Sequence, residues 1–225
     1  CSSINSLRSA LTPVLASRPD PGMQAKGASE CLVSVPLTPR YTLNRIGTKH
    51  RAGHTMYEAS IRIPMLAHCP DLFEANQRVQ RMALNIDIAP TMLDAAGLAP
   101  SPAMHGRSLL PLLSGTTEWR KDFLYEYFWE RAYPQTPSIL GLRTDNYSYM
   151  NYHGIWDRDE LYDIQSDPEQ NNNLLADAMM MNQGGPVTAQ IRQPGTRALV
   201  QGFQTRIKQI MAATGGQSEP SWAAH

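Results

Sequence analysis

The sequence predicts an α/β chain in which a buried strand and a helix come first and a small antiparallel sheet with a closing helix follows. Residues 61–69 form a mostly apolar run that Pro70 ends, and residues 87–97 carry the start and stop signals of a helix. From residue 123 onward, short aromatic-rich runs alternate with turn residues. A continuous apolar run is typical of a strand buried on both faces in a parallel sheet, whereas short runs joined by turns are typical of antiparallel hairpins.

The helix of the first half is predicted from its two ends. Asp87 is a favourable N-cap residue, and Pro90 is tolerated in a first turn. Gly97 can take the left-handed conformation that commonly ends a helix. The residues between these signals are mostly compatible with a helix, so we expect one helix over residues 87–96.

The second half is predicted to contain strands over residues 123–129, 138–142, 147–152 and 160–164. Asp145 and Asn146 join the two middle runs, and both residue types tolerate the positive φ of a tight hairpin. A closing helix is expected because apolar residues recur at helical spacing, namely Leu199, Phe203, Ile207, Ile210 and Met211. Thr196 is the expected cap of this helix and Gly215 its expected stop.

Length, composition and charge exclude several classes of function. With 225 residues, 42% of them hydrophobic, the chain can bury a sizeable core in one or two domains. A formal net charge of zero gives no electrostatic footprint for nucleic acid, and no apolar stretch approaches the ~18 residues of a membrane span. The three cysteines, Cys1, Cys31 and Cys69, lack zinc-ligand spacing and leave the redox compartment open.

An ordered series of segments carries the strongest functional signal. The series contains HTMYEASIRIPMLA at 54–67, LNIDIAPTMLDAAGL at 84–98, GRSLLPLL at 106–113, YEYFWE at 125–130, LRTDNYSY at 142–149, YHGIWD at 152–157 and ELYDIQSDPE at 160–169. Together, over about residues 54–215, these segments resemble the later part of a type I sulfatase of the alkaline-phosphatase superfamily. The resemblance implies hydrolysis of sulfate esters by the intact enzyme.

The same resemblance implies a domain plan. Residues 46–117 would be the edge of a large, mostly parallel sulfatase-type sheet domain, and residues 118–216 a smaller antiparallel-sheet-plus-helix domain. Residues 217–225 would be a tail. Residues 1–45 are rich in Ser and Pro, show no sustained period and match nothing in that family, so we expect a poorly ordered or non-native leader.

The cofactors of the family are implied for the intact enzyme only. In type I sulfatases a Cys or Ser within Cys-x-Pro-Ser-Arg becomes formylglycine, the nucleophile, and a Ca²⁺ ion neutralises the sulfate oxygens. None of the three cysteines here lies in that motif, and no residue can be assigned as a metal ligand. We therefore predict a C-terminal portion without its nucleophile and calcium site, which is inactive as an isolated chain.

Four residues are candidates for the substrate site. The resemblance places a sulfate-contacting lysine shortly before Met56, and Lys49 is the nearest candidate for that catalytic role, although it is displaced by several residues. His54, His153 and Trp156 are candidates for substrate binding, because an imidazole can hydrogen-bond a hydroxyl and an indole can stack on a sugar. The alternative for each is structural: a solvated basic turn around Lys49, or side chains that cover the small sheet.

Other functions and partners stay open at this point. The expected substrate is a sulfated small molecule or glycan. The alternatives are another hydrolase of the same superfamily, such as a phosphodiesterase, or a non-catalytic module that binds sulfated glycans. An exposed sheet edge would favour self-association. A periplasmic or secreted location fits the resemblance, but no signal-peptide pattern is visible and the sequence leaves the location undecided.

Overall fold

The structure is a computed structural model of the chain. It describes the backbone of residues 32–34 and the residues in the ranges 55–70, 72–74, 76–115, 118–128, 131, 137–153, 159–177 and 187–216, with side chains except at residue 187. Within these ranges, no helix is both long and apolar enough to cross a bilayer.

Strands and short helices alternate in the first half, and a sheet followed by a long helix makes up the second. In chain order the first half contains β1 (Leu32–Ser34), α1 (Glu58–Ile61), β2 (Leu66–His68), a 3-10 turn (Asn85–Asp87), α2 (Ile88–Ala95) and α3 (Leu110–Leu113). The second half contains β3 (Asp122–Tyr127), β4 (Ser138–Thr144), β5 (Tyr147–His153), β6 (Asp159–Asp163), α4 (Val187–Gln190) and α5 (Pro194–Thr214).

The four later strands form one antiparallel sheet in the order β3-β4-β5-β6. Its register pairs Leu142 with Tyr149, and Tyr149 with Leu161, so these three side chains lie in one row across the sheet. Side chains alternate between the two faces of each strand. The predicted antiparallel sheet is confirmed, and each face has its own apolar core.

Helix α5 covers one face of this sheet. Its buried residues Val200, Phe203, Ile207 and Met211 recur at the spacing of a single helical stripe. They pack with Leu142, Tyr149 and Leu161 in one core cluster, and the rings of Tyr149 and Phe203 stack with centroids 5.8 Å apart. Burying each large apolar side chain contributes ~1.5–3 kcal/mol, so this helix holds the sheet together.

The predicted boundaries of α5 are partly right. Gly215 adopts a positive φ of 76° directly after the helix, and this stop is confirmed. The predicted cap is wrong: the N-cap is Gln193, and Thr196 lies within the first turn, where its hydroxyl is 3.2 Å from the side-chain oxygen of Gln193. Pro194 explains the earlier start, because its fixed φ and missing N–H suit the first helical position.

The β4–β5 hairpin has its turn where we predicted, but a side-chain hydrogen bond rather than a positive φ forms it. Neither Asp145 nor Asn146 has a positive φ. Instead the backbone N–H of Tyr147 donates to the hydroxyl of Thr144 across 2.9 Å, which closes the turn from a side chain. The sequence pattern located the turn correctly and misjudged its backbone conformation.

The strand predicted over residues 61–69 is wrong in extent and environment. Ile61 ends α1, and only Leu66–His68 is a strand, with all three residues exposed. This strand pairs antiparallel with β1, whose three residues lie inside the segment 1–45 that we expected to be a poorly ordered or non-native leader. Pro64 lacks the N–H that a ladder needs, which explains why the apolar run is not one continuous strand.

The helix predicted over residues 87–96 is confirmed as α2, and Gly97 has the expected positive φ of 72° after it. However, Asp87 does not cap it with its side chain. The carboxylate is fully buried and accepts two hydrogen bonds of 2.6 Å from Arg120, along with bonds from the backbone N–H groups of Leu84 and Arg107. Asp87 therefore joins three chain segments.

Candidate functional site

The described residues cover only part of the predicted site. Lys49, His54 and Trp156 lie outside them. His153 is the last residue of β5 and is partly buried, and its side chain interacts electrostatically with Asp159. Two described parts of the chain therefore border the predicted site. They are residues 56–58, which follow His54 in the chain, and the end of β5, which carries His153.

The 56–58 anchor is the name used here for Met56, Tyr57 and Glu58. These residues lie on the face of the small sheet opposite α5. Met56 is fully buried in the second core cluster, with Ile139 and Met150. It lies over Gly141, where an added Cβ would stand 2.1 Å from the Met56 sulfur. Any other residue at position 141 would displace the end of the Met56 side chain, so glycine permits this close approach and Met56 lies over the middle of the sheet.

Glu58 provides a charged contact of the anchor. Its carboxylate accepts a 2.6 Å hydrogen bond from the Arg143 Nε, and its backbone N–H donates to the Gln170 side chain across 2.6 Å. Both partners of the ion pair are largely buried. Arg62 lies 3.9 Å from the same carboxylate but is 80% exposed, so it adds little. Glu58 is thus held in a buried ion pair with Arg143.

Tyr57 provides the third contact, at Glu160 of β6. One carboxylate oxygen of Glu160 accepts hydrogen bonds from three phenols: Tyr57 at 2.8 Å, Tyr162 at 3.1 Å and Tyr152 at 3.3 Å. Burial, followed by the charge of neighbouring groups including Glu160, raises the pKa of each phenol far above its usual value. The three tyrosines therefore remain neutral donors, and Glu160 ties the anchor to β5 and β6.

A second polar cluster lies on the α5 face at the same end of the sheet, around Asp159. This carboxylate is 4% exposed and accepts hydrogen bonds from the Tyr149 phenol and, across 2.6 Å, from the Asn151 amide. Gln204 of α5 donates to the Tyr149 hydroxyl across 3.1 Å. Burial raises the pKa of Asp159, while the hydrogen bonds from Tyr149 and Asn151 and the charge of His153 lower it.

The described side chains near this end of the sheet include one imidazole, and the one described cysteine lies elsewhere in the chain. Within the described residues, His153 is the imidazole at this strand end: it is partly buried, its Nε2 is buried, and it interacts electrostatically with Asp159. Cys69 is 5% exposed and disulfide-bonded, so its sulfur is not available for attack. Sequence reasoning singled out His153 but missed Tyr57 and Glu160, although both stand inside quoted segments.

The calcium ion and formylglycine that the resemblance implies find no fitting donor set in the described residues. Within the described part of the chain, no group of three or more His, Cys, Asp or Glu side chains is placed to hold a metal ion. The buried carboxylates already accept from protein donors, Asp87 from Arg120 and Glu58 from Arg143.

Sequence comparison identifies relatives of this part of the chain. Residues 51–194 match the family model described as N-sulphoglucosamine sulphohydrolase, C-terminal. The chain is 33% identical over 130 residues to the N-acetylglucosamine-6-O-sulfatase of Bacteroides thetaiotaomicron, a match that covers 55% of this chain and 23% of that protein. It is 34% identical over 132 residues to arylsulfatase K of Mus musculus, with the same two coverages. The matched part is about a quarter of each relative's length.

Solved structures show the same fold. BT4656, solved in complex with its substrate D-glucosamine-2-N,6-O-disulfate, superimposes with a TM-score of 0.58 and 24% identity, covering 72% of this chain and 30% of that one. The yidJ protein of Bacteroides fragilis superimposes with a TM-score of 0.55 and 23% identity, covering 73% of this chain and 32% of that one. In both cases the similarity is limited to about a third of the larger structure.

Proposed function

Because the chain belongs to the family of N-sulphoglucosamine sulphohydrolase C-terminal domains, we propose that it is the C-terminal portion of an enzyme that hydrolyses sulfate esters. The observation that carries this proposal is the family match, which runs through both the 56–58 anchor and the sheet that receives it. Two relatives that match over this part of the chain are named as sulfatases.

The geometry supports a substrate-facing end of the small sheet. Tyr57 of the anchor donates to Glu160 of β6, which also accepts from Tyr152 near the end of β5. His153 is the next residue of β5, so its side chain lies at the same end of the sheet on the opposite face. Lys49 and His54 precede the anchor in sequence, so the anchor restricts where they can reach. In this proposal they bring positive charge to the sulfate group.

His153 and Trp156 complete the proposed site at the leaving group. The imidazole would hydrogen-bond a hydroxyl of a sulfated sugar or aryl ester, and the indole would stack on its ring. In the intact enzyme, formylglycine would supply the nucleophile and Ca²⁺ would neutralise the sulfate oxygens. The described residues of this chain contribute substrate orientation.

The proposal is tested by a chimera. Residues 49–216 would replace the matching part of the Bacteroides thetaiotaomicron N-acetylglucosamine-6-O-sulfatase, and hydrolysis of N-acetylglucosamine-6-sulfate and a chromogenic aryl sulfate would be measured with calcium. A matched aryl phosphate and a phosphodiester serve as comparisons. We expect sulfate-selective turnover by the chimera and none by the isolated chain.

Two outcomes would contradict the proposal. A folded chimera that hydrolyses the phosphodiester and not the sulfates would favour the phosphodiesterase alternative. A folded chimera that binds sulfated sugar without turnover would favour the binding-module alternative. Within an active chimera, His153→Ala should raise KM for the sugar sulfate about tenfold, the loss of one hydrogen bond of ~1.4 kcal/mol. His105→Ala, at an exposed histidine outside the site, should leave KM unchanged.

A further inference from the structure

The face of the small sheet that carries the 56–58 anchor also carries a cluster of buried polar side chains. We propose that three of them, Arg143, Ser148 and Gln170, form a buried site that binds ordered water and joins the anchor to the sheet. The ligand class is a small neutral molecule that both donates and accepts hydrogen bonds. This inference is independent of the proposed function, because it concerns how the anchor is held and not what the enzyme hydrolyses.

The three side chains each have a buried polar atom with no hydrogen-bond partner within the described residues. These atoms are Nη1 of Arg143, Oγ of Ser148 and Nε2 of Gln170. Ser148 is 0% exposed and Gln170 is 8% exposed, and the Arg143 side chain is 13% exposed. Buried polar side-chain atoms in folded proteins have a partner in the large majority of cases, either a protein group or an ordered water. Three such atoms therefore indicate a ligand.

The three side chains form one cluster. The register places Ser148 of β5 directly opposite Arg143 of β4, so their Cβ atoms lie ~4.5–5.5 Å apart on the same face. Ser148 shares this face with Met150 of the anchor's core, because alternate residues of a strand point the same way. Glu58 links the other two members: its carboxylate accepts from Nε of Arg143, and its backbone N–H donates to Oε1 of Gln170, both across 2.6 Å.

The backbone holds Gln170 in place for this site. Its φ is 54°, in the left-handed region that is uncommon for a residue other than glycine. Its N–H donates to the Asp167 carbonyl oxygen across 3.1 Å, and the Asp167 carboxylate accepts from the N–H groups of Asn171 and Asn172. Such a backbone conformation persists where the surrounding structure fixes it. The loop therefore presents the buried amide of Gln170 to the anchor.

The charge of the cluster favours water over an anion. Glu58 and Arg143 neutralise each other across 2.6 Å, so the cluster has no excess positive charge. The second carboxylate oxygen of Glu58 lies 3.9 Å from Nε of Arg62, which is beyond hydrogen-bond distance. A water can accept from Arg143 and Gln170 while it donates to Glu58 or Ser148, whereas an anion only accepts. Buried waters typically make about three hydrogen bonds of this kind.

A high-resolution crystal structure of the 225-residue chain tests the site directly. We expect a water molecule within ~3.2 Å of at least two of the three atoms, Nη1 of Arg143, Oγ of Ser148 and Nε2 of Gln170. Crystals grown with bromide in place of chloride provide the comparison, because a bound bromide ion gives an anomalous signal and water does not. A bromide ion at this position, or no water between these side chains, would overturn the inference.

The substitution Ser148→Ala tests the same site in solution, and the direction of its effect decides the outcome. If water is bound, the variant removes one of its hydrogen bonds, and we expect the urea midpoint to fall by about 0.5 M. If nothing is bound, the variant removes a buried hydroxyl without a partner, and the midpoint should rise. An unchanged or raised midpoint would therefore overturn the inference.

The matched control is Ser114→Ala. The Ser114 hydroxyl is exposed and lies 3.4 Å from a carbonyl oxygen of its own short helix, so this variant should leave the midpoint unchanged. Both measurements use the chain without substrate. Loss or presence of sulfatase turnover in the chimera therefore leaves this inference unaffected, and a site without water leaves the proposed function unaffected.

Discussion

Removing the Arg120 guanidinium should destabilise this protein more than removing any single exposed charge. Arg120 is 8% exposed and donates two 2.6 Å hydrogen bonds to the fully buried carboxylate of Asp87. In Arg120→Ala, Asp87 would keep only the N–H donors of Leu84 and Arg107, at 2.8 and 2.9 Å. A buried carboxylate would then have no counter-ion.

The expected magnitude follows from burial. Breaking a buried ion pair by removing one partner costs ~3–5 kcal/mol, because the remaining charge stays desolvated. The matched control is Arg206→Ala, which breaks a pair with Asp122 of similar length, 2.7 Å, whose side chains are 46% and 22% exposed. Such a pair contributes ~0.2–1 kcal/mol. The double variant Asp87→Ala with Arg120→Ala should lose less than the sum of its single changes.

Urea unfolding measured by circular dichroism gives the first readout. With an m-value of ~2 kcal/mol/M, Arg120→Ala should lower the midpoint by about 2 M, and Arg206→Ala by less than about 0.5 M. Hydrogen exchange with mass spectrometry then locates the loss, which should be greatest at the amides of residues 84–95 and 107–109. Equal midpoints for the two variants would refute the prediction that the buried Asp87–Arg120 pair stabilises the fold more than the exposed Asp122–Arg206 pair.

Three further predictions concern local packing, pH and the disulfide. In Gly106→Ala the new Cβ would lie 1.9 Å from a backbone carbonyl oxygen, so we expect a loss of ~1–3 kcal/mol in urea unfolding; Gly202→Ala, which meets nothing within 4 Å inside α5, should gain ~0.5–1 kcal/mol instead. Burial raises the pKa of Asp159, so the stability that its protonated form contributes is complete below about pH 4 and is lost as pH rises through that raised pKa. Asp159→Asn should therefore flatten the pH dependence of the urea midpoint measured from pH 4 upward. An unchanged pH dependence in this variant would contradict the prediction. Cys69 is disulfide-bonded, and we expect its partner to be Cys31, because Cys31 directly precedes β1, Cys69 directly follows β2, and β1 pairs with β2. Non-reducing mass spectrometry should find the tryptic peptides of Cys31 and Cys69 joined. A free Cys31 peptide would contradict this prediction.

The second half of the chain could be predicted well because its signals are local. Apolar residues at helical spacing, such as Phe203, Ile207 and Met211, predict both the helix and the face that it buries. Gly215 ends that helix with the conformation that glycine adopts most readily. The strands were recognisable as short aromatic runs, and their pairing in chain order is the simplest one for consecutive hairpins.

Long-range contacts could not be predicted from one sequence. Asp87 has the right residue type for a helix cap, but its main partner, Arg120, stands 33 residues away. Tyr57 and Glu160 are 103 residues apart. Gly141 looks like an ordinary strand glycine until Met56 lies on it. In each case local chemistry permits several roles, and only tertiary packing selects one.

The failed strand prediction has a physical origin in the environment of the segment. Residues 61–69 have the apolar composition of a strand buried on both faces, yet β2 is exposed throughout in this structure. Composition alone therefore misjudged the environment of this segment, because a continuous apolar run is typical of a strand buried on both faces. The 56–58 anchor supplies the link, because it is buried in the small sheet while the exposed apolar residues begin at Ile63. The small sheet has a core on each face, and the segment after the anchor is tied to it by the buried contacts of Met56 and Glu58.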